Sequence, residues 1–413
     1  MKENCRNILK SVEKALSLPS FSGTKKQENE ETTPLHQGKQ LKMNPSRITV
    51  KIGSNVLTRQ DGTLDVTRMS AIVDQVAELH KRGIQLILVS SGAVASGRSE
   101  LKGKVNTDKL ETVDQRQLFS AVGQAKLINK YYELFRDHGI SCGQVLTTKE
   151  SFGSRGHYLN QKNCMEVMLS QGIVPIVNEN DTISVTELMF TDNDELSGLI
   201  ATMMDASTLI ILSNIDGVYT GDPKDPASQL IPVIESDANI SQYIQTAKSS
   251  FGRGGMITKQ RIARKVAAEG IEVIISNGKR DGVLLQLINI DPATGQNQIA
   301  PGTLCTRFRP EAHKTSSVKK WIAHSEDFSK GTLYINEGAA NALYSDQAAS
   351  LLPVGVTRIE GEFDEGDLVL VKADTTSQVL GVGQINCNSA EAQKLVGKKD
   401  QKPFIHYDYL WLE

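Results

Sequence analysis

The sequence lacks the cysteine pattern of a disulfide framework or a zinc site. Its five cysteines are widely scattered and none forms a Cys-x-x-Cys pair; they are Cys5, Cys142, Cys164, Cys305 and Cys387. Disulfide-rich scaffolds and zinc modules need closely spaced cysteines, so both classes are excluded. A reducing, cytoplasmic location is the prediction that follows.

Long apolar runs and an excess of charge of either sign are also missing. No uninterrupted apolar segment reaches the ~20 residues that a membrane span needs, so we expect no membrane association. The formal net charge is −2 over 413 residues, which argues against a nucleic-acid binder held by bulk electrostatics. With 39% hydrophobic and 23% charged residues, the composition is that of a soluble globular chain of about two or three domains.

The first 46 residues differ from the rest of the chain. Residues 20–40 are polar and rich in Lys, Glu, Thr and Gln, a composition that is typical of disorder. The continuous apolar stretch of a secretory signal is absent from this region. We therefore predict a disordered N-terminal extension over residues 1–46.

Three further regions follow from the hydrophobic pattern. Between residues 47 and 290, apolar strands alternate with helical periods, and such repeated β-α-β units predict an open, mostly parallel sheet sandwiched by helices. Residues 291–316 are rich in Pro, Gly, Thr and Ser and are predicted to be a linker. Residues 317–413 contain short strands with Gly turns, which indicates a small β-rich domain.

Two polar clusters mark the segment over residues 172–197. The cluster at 178–181 (Asn-Glu-Asn-Asp) directly follows an apolar strand, and the cluster at 192–194 (Asp-Asn-Asp) opens an apolar helix, with Asp192 placed as N-cap. In open α/β sheets, ligands bind where strands end and helices begin. A polar loop followed by an ordinary helix cap would explain the same residues, so the segment alone does not define a site.

Two lysines add to this pattern. Lys51 lies inside an apolar strand, where an ammonium must be paired or face a ligand. Lys259 lies about one turn into a helix that follows a Gly-rich turn, where an anion at the helix start would stabilise it. A solvated helix lysine is the alternative interpretation of Lys259. Two lysines beside carboxylates at one sheet edge suggest phosphoryl transfer, a reaction that needs charge neutralisation.

The motifs VKIGSNVL, VSSGAVASGR, VPIVNENDTI, FTDNDELS, LIILSNIDGVYTGDP and GRGGMITK occur in this order. Together they resemble the glutamate kinases of the amino acid kinase family over about residues 47–278, and the C-terminal part resembles a PUA domain. The resemblance implies the amino acid kinase fold with a small PUA-like barrel. It also implies ATP-dependent phosphorylation of the glutamate γ-carboxylate, with Mg²⁺ accompanying ATP, as the first step of proline synthesis. As partners it implies glutamate and ATP as substrates, proline as a feedback inhibitor, a homo-oligomer and contact with the downstream glutamyl phosphate reductase.

The resemblance also implies roles for individual residues. The catalytic lysines are Lys51 and Lys259, and Asp192 is the carboxylate that holds them. The glutamate-binding residues are Ser91, Asn178, Asp181, Asn193 and Asp194. The nucleotide contacts are Lys51, Gly53, Ser54, Ser213, Asn214, Arg253, Gly254, Gly255, Met256, Ile257, Thr258 and Lys259. No metal-ligating side chains are assigned. The chain departs from the family pattern at Ser213-Asn214, where Thr-Asp is usual, which leaves the nucleotide contact there open.

Two rival interpretations remain at this point. The first is a related kinase that acts on acetylglutamate, aspartate, a nucleoside monophosphate or carbamate. The acidic and amide clusters favour a substrate with a free ammonium group. The second is an RNA-binding protein with a vestigial kinase domain. Residues 319–413 carry nine Lys and Arg against fourteen Asp and Glu, a balance that disfavours RNA.

Overall fold

The computed structural model describes residues 46–106, 109–153, 155–183, 193–235, 255–291, 294, 296–311, 322, 329–345 and 349–412. All of these residues belong to one compact unit, Asn44–Glu413. The N-terminal extension predicted over residues 1–46 therefore lies, apart from residue 46, outside the described part of the chain. No described helix combines the length and the apolar character that crossing a membrane requires.

The larger of two sheets has eight strands in the order β3-β4-β2-β1-β5-β7-β8-β6. Its strands are β1 (Arg47–Ile52), β2 (Gln85–Ser90), β3 (Cys142–Thr147), β4 (Val174–Glu179), β5 (Thr208–Ser213), β6 (Val233–Ile234), β7 (Glu272–Asn277) and β8 (Cys305–Phe308). All neighbouring pairs are parallel except β7 and β8. The predicted open and mostly parallel sheet is confirmed.

Helices cover both faces of this sheet. They are α1 (Ser54–Leu57), α2 (Val66–Lys81), α3 (Ala93–Leu101), α4 (Thr112–Asp137), α5 (Glu150–Gly153), α6 (Arg155–Ser170), α7 (Asn193–Met203), α8 (Met256–Ala268) and α9 (Val283–Leu287). Every residue of β4 and β5 is buried. Burial on both faces explains why these strands are nearly continuous apolar runs rather than alternating ones.

Successive side chains of β1 point to opposite faces of the sheet and so pack against different helices. Ile48, Val50 and Ile52 pack in one cluster with α2, α4 and α9. Side chains along a strand point to opposite faces in turn, so Lys51 lies on the other face, which α7 and α8 cover. The alternation of side chains along β1 thus directs Lys51 toward α7 and α8.

The predicted linker is wrong over part of its length. Residues 305–308 form β8, which pairs antiparallel with β7 and parallel with β6, so the eight-stranded sheet extends into residues 291–316. Cys305 and Phe308 are buried in clusters with residues of that sheet. The Pro- and Gly-rich composition of the region hid a strand of only four residues.

A second sheet of five strands, in the order β10-β9-β11-β12-β13, forms the predicted β-rich domain. Its strands are β9 (Gly331–Ile335), β10 (Val356–Gly361), β11 (Leu368–Ala373), β12 (Val379–Gln384) and β13 (Leu410–Leu412), with helices α10 (Glu337–Leu343) and α11 (Ser389–Leu395). Its own core contains Leu333, Val369, Val371 and Phe404.

The opposite face of β11 and β12 belongs to a different cluster. Leu368 and Val382 pack in the hydrophobic cluster that also contains Leu196 and Ile200 of α7. Val382 pairs across the sheet with Trp411, which packs against the same cluster. Trp411 therefore contributes to the cluster that the small domain shares with α7, and not to the small domain's own core.

Candidate active site

A buried carboxylate bridges the two predicted catalytic lysines. The Nζ atom of Lys51 lies 2.6 Å from Oδ1 of Asp194, and the Nζ atom of Lys259 lies 2.8 Å from Oδ2 of the same residue. The Asp194 side chain is 0% exposed, and those of Lys51 and Lys259 are 6% and 10% exposed. Two ammonium groups thus share one buried carboxylate.

The pKa of Asp194 reflects two opposing effects. Burial alone would raise it, because a carboxylate loses its hydration in the interior. The positive charges and hydrogen bonds of Lys51 and Lys259 outweigh burial and hold the pKa of this carboxyl below its usual value. Asp194 is therefore ionised at neutral pH and keeps both lysines in place.

Helices α7 and α8 bring Asp194 and Lys259 together. Each residue lies in the first turn of its helix. One turn further along α7, Gly198 has no side chain, and a Cβ there would approach methyl groups of Ile262 and Val266 to 3.0 Å. This close helix contact keeps the two first turns within ion-pair distance.

The bridging role differs from the assignment made by resemblance. That assignment gave the role to Asp192 and placed Asp194 among the glutamate-binding residues. The observed bridge is made by Asp194, so this residue takes the bridging role, and its assignment to glutamate binding stays a prediction. Asp192 lies outside the described residues.

Three of the predicted substrate-binding residues meet through one amide. The Nδ2 atom of Asn193 donates to Ser91 Oγ at 2.9 Å and to Asn178 Oδ1 at 3.1 Å. Ser91 follows β2 and Asn178 lies near the end of β4, so the carboxyl ends of two strands and the start of α7 converge here. The same cluster joins the Lys51–Asp194–Lys259 group, since Asn193 precedes Asp194.

Asp181, the remaining predicted substrate-binding residue, lies in a second ionic cluster that sequence reasoning missed. Arg116 of α4 donates from Nε to Asp181 Oδ1 at 2.8 Å and from a terminal nitrogen to Glu179 Oε2 at 3.0 Å. Ser120 donates to Asp181 Oδ2 at 3.2 Å, and Gln124 donates from Nε2 to the Glu179 carbonyl at 3.2 Å. The signal in the sequence was a polar row at spacing i, i+4, i+8 in the first half of α4.

Close packing of α3 on α4 supports this arrangement. A Cβ at Gly97 would lie 1.8 Å from the Phe119 carbonyl oxygen, and one at Gly123 would lie 1.8 Å from the Ala93 carbonyl oxygen. Only glycine permits such backbone contact. Because α3 begins two residues after Ser91 and α4 carries Arg116, this packing ties the Ser91 turn to the loop that contains Asp181.

The predicted nucleotide-binding residues lie at the ends of β1 and β5 and at the start of α8. Gly53 follows β1 and its N–H donates to the Leu212 carbonyl of β5 at 3.0 Å. Ser213 ends β5 and is buried, and Asn214 follows it. Gly255 is the N-cap of α8, so residues 256–259 form its first turn. Arg253 and Gly254 lie outside the described residues.

An ion pair ties the loops that follow β5 and β7. Arg280 donates from Nε and from a terminal nitrogen to the two carboxylate oxygens of Asp216, at 2.6 and 2.8 Å. These hydrogen bonds from Arg280 hold the pKa of Asp216 below its usual value. The pair fixes the turn that begins at Ser213 and Asn214.

The described part of the chain contains no group of three or more His, Cys, Asp or Glu side chains that could hold a metal ion. Mg²⁺ in phosphoryl-transfer sites is commonly held by one or two carboxylates, substrate phosphates and water. The residues described are compatible with a Mg²⁺ ion that arrives with the nucleotide.

Comparison with known proteins gives the family of this chain. Residues 46–277 match the amino acid kinase family and residues 331–404 match the PUA domain. The chain is 64% identical over 373 residues to glutamate 5-kinase of Bacteroides thetaiotaomicron, covering 90% of this chain and 100% of that protein. It is 45% identical over 371 residues to glutamate 5-kinase of Chlorobaculum tepidum, covering 89% and 97%. The chain therefore belongs to the amino acid kinase family, within its glutamate 5-kinase group.

Proposed function

We propose that the protein transfers the γ-phosphoryl group of ATP to the γ-carboxylate of glutamate, the first step of proline biosynthesis. The observation that carries this proposal is the buried group of Lys51, Asp194 and Lys259 at the carboxyl ends of the central strands. Its two buried ammonium groups suit a phosphoryl group whose negative charge shifts during transfer. The high identity to curated glutamate 5-kinases supports glutamate as the acceptor.

The chemistry needs no general base from the protein. A glutamate side chain has an ordinary pKa of about 4.3, so the γ-carboxylate is ionised at neutral pH and is itself the nucleophile. One of its oxygens forms a bond to the terminal phosphorus of ATP. The bond from that phosphorus to the bridging oxygen breaks, and ADP leaves with the electron pair. Mg²⁺, bound with ATP, would neutralise part of the phosphate charge.

Each cluster has a distinct role in this proposal. Lys51 and Lys259 stabilise the charge on the transferring group, and Asp194 keeps their ammonium groups in position. Ser91, Asn178 and Asn193 offer hydroxyl and amide groups to the α-carboxylate of glutamate. Asp181 accepts hydrogen bonds from its α-ammonium. The turns at Gly53, Ser213 and the start of α8 hold the nucleotide.

Several properties implied by the resemblance remain predictions. They are feedback inhibition by proline, assembly as a homo-oligomer, contact with the reductase that consumes the acyl phosphate, and cytoplasmic location. The nucleotide preference is also open, because Asn214 stands where an aspartate is usual in the family.

The experiment that tests the proposed function is hydroxamate formation that depends on both ATP and glutamate, with aspartate and acetylglutamate as alternative acceptors. Hydroxylamine traps an acyl phosphate, so the proposal predicts trapped product with glutamate and at most a small fraction of it with the other two acids. Faster product formation with either alternative acid would favour a related kinase and overturn the proposal.

A further inference from the structure

The loop that ends β4 is held by one face of α4. Arg116, Ser120 and Gln124 recur at helical spacing, so they lie on one stripe of the helix, and each donates a hydrogen bond to Glu179 or Asp181. These residues are 55 to 65 positions apart from their partners along the chain. The stripe therefore holds the end of β4 and the start of the following loop through contacts from a distant part of the chain.

The two carboxylates of this cluster are largely buried. The Arg116 guanidinium contacts both, and the Glu179 and Asp181 side chains are only 4% and 7% exposed. A buried carboxylate is stabilised by each charged donor that reaches it. Asp181 is thus suited to accept a hydrogen bond from an incoming ammonium group.

The Asp181 carboxylate also keeps room for another donor. Arg116 occupies Oδ1 and Ser120 donates to Oδ2. An ionised carboxylate offers about four lone-pair positions, so acceptor capacity remains after these contacts. Because the Arg116 guanidinium holds Asp181 with two nitrogen atoms, the direction of the free lone pairs is fixed.

We propose that Arg116 is a positioning residue that aims Asp181 at the substrate's α-ammonium and so sets selectivity for an acceptor that carries this group. The inference rests on the proposed function and deepens it. In this proposal Arg116 contacts neither the transferring phosphoryl group nor Lys51 and Lys259. Replacing it should therefore change the affinity for glutamate rather than the rate of phosphoryl transfer.

The test uses the full chain with Arg116→Gln and Arg116→Lys. Loss of a charge-assisted, two-nitrogen contact should raise the KM for glutamate about 10–50-fold, with the KM for ATP and kcat within about 3-fold. Lysine keeps the charge but not the planar fork, so Arg116→Lys should raise the same KM only about 3–10-fold. Arg136→Gln, near the other end of α4 and exposed, is the matched control and should change nothing measurable.

Glutarate, which is glutamate without the α-amino group, separates positioning from a general structural role. It gains nothing from Asp181, so its inhibition constant against glutamate should stay within about 2-fold in Arg116→Gln. A parallel loss of glutarate and glutamate binding would show that Arg116 only supports the fold, and would overturn the inference. An unchanged glutamate KM in Arg116→Gln would overturn it as well.

The two proposals fail in different ways. If the unaltered enzyme forms no hydroxamate with glutamate, the proposed function is wrong. If the unaltered enzyme is active and the Arg116 variants do not shift glutamate KM, only the positioning role is wrong. Thermal unfolding of each variant, compared with Arg136→Gln, identifies any variant whose KM change reflects partial unfolding.

Discussion

The two ionic clusters of the catalytic domain have opposite composition. Lys51, Asp194 and Lys259 combine two cations with one carboxylate, whereas Arg116, Glu179 and Asp181 combine one cation with two carboxylates. Both are largely buried, so their charges are screened less than they would be at the surface. The first cluster therefore suits an anionic group of the substrates, and the second suits a cationic group.

This difference in charge would orient a bound glutamate molecule. The positive cluster suits phosphate oxygens and the γ-carboxylate, and the negative cluster suits an α-ammonium group. The hydrogen bond from Asn193 to Asn178 connects them, because Asn193 adjoins Asp194 and Asn178 adjoins Glu179. Glutamate has its γ-carboxylate at one end and its α-ammonium group at the other, so the two clusters would orient it for phosphoryl transfer.

The largest expected effect comes from the positive cluster. Lys259→Ala should lower kcat about 10²–10³-fold, the usual result of removing one preorganised donor to a developing charge, with the KM for glutamate within about 3-fold. Steady-state hydroxamate assays would measure it. Lys162→Ala, which removes a surface ion pair with Asp205, is the matched control. An unchanged kcat in Lys259→Ala would remove this lysine from the mechanism.

Asp194→Asn tests whether the carboxylate holds both lysines. It should lower kcat by about 10²-fold and reduce the free energy of unfolding by roughly 3 kcal/mol at neutral pH, because two buried ammonium groups lose their partner. Since the pKa of Asp194 is lower in the folded chain, its contribution is present above its ordinary pKa of about 3.9 and is lost as the pH falls below that value. Denaturant titrations at several pH values should show the difference from the unaltered chain shrinking in acid; a constant difference would contradict this account.

A substitution in the cluster of Arg116, Glu179 and Asp181 should change the affinity for glutamate. Asp181→Ala should raise the KM for glutamate about 10–50-fold while the KM for ATP stays within about 2-fold, because the variant loses a charged acceptor for the ammonium. Kinetics with each substrate varied in turn would measure both values. Asp137→Ala, at the exposed end of α4, serves as control. A rise in the KM for ATP as large as that for glutamate would erase the distinction between the two clusters.

The smallest effect is expected far from both clusters. Val382 lies fully buried in the cluster that the small domain shares with α7. Val382→Ala should destabilise the protein by about 1–2 kcal/mol through lost packing, while kcat and both KM values stay within about 2-fold. Thermal unfolding and the same kinetic assays would measure these quantities. A kcat loss comparable to that of Lys259→Ala would contradict this expectation and show that packing of the small domain on α7 affects phosphoryl transfer.

The sequence was informative where a single residue type stood out locally. Lys51 in an apolar strand and Lys259 in the first turn of a helix were recognisable without a partner, and repeated β-α-β units predicted the sheet. The structure brings both lysines to one carboxylate. Such features depend on the period of a strand or helix, which the sequence carries directly.

Contacts between residues that are distant in the chain could not be predicted from the sequence. Asp194 and Lys259 are 65 positions apart, so only the packing of α7 beside α8 shows that this carboxylate faces the lysines. Arg116 contacts Asp181 from 65 residues away. Both faces of β11 are apolar, so the sequence did not reveal which face contacts the catalytic domain.

A crystal structure with bound glutamate and a non-hydrolysable ATP analogue would test the central claim most directly. The account predicts the α-ammonium nitrogen about 2.7–3.2 Å from the Asp181 carboxylate, with the γ-carboxylate on the side of Lys51 and Lys259. A glutamate bound in the reverse direction, with its ammonium beside Asp194, would contradict it.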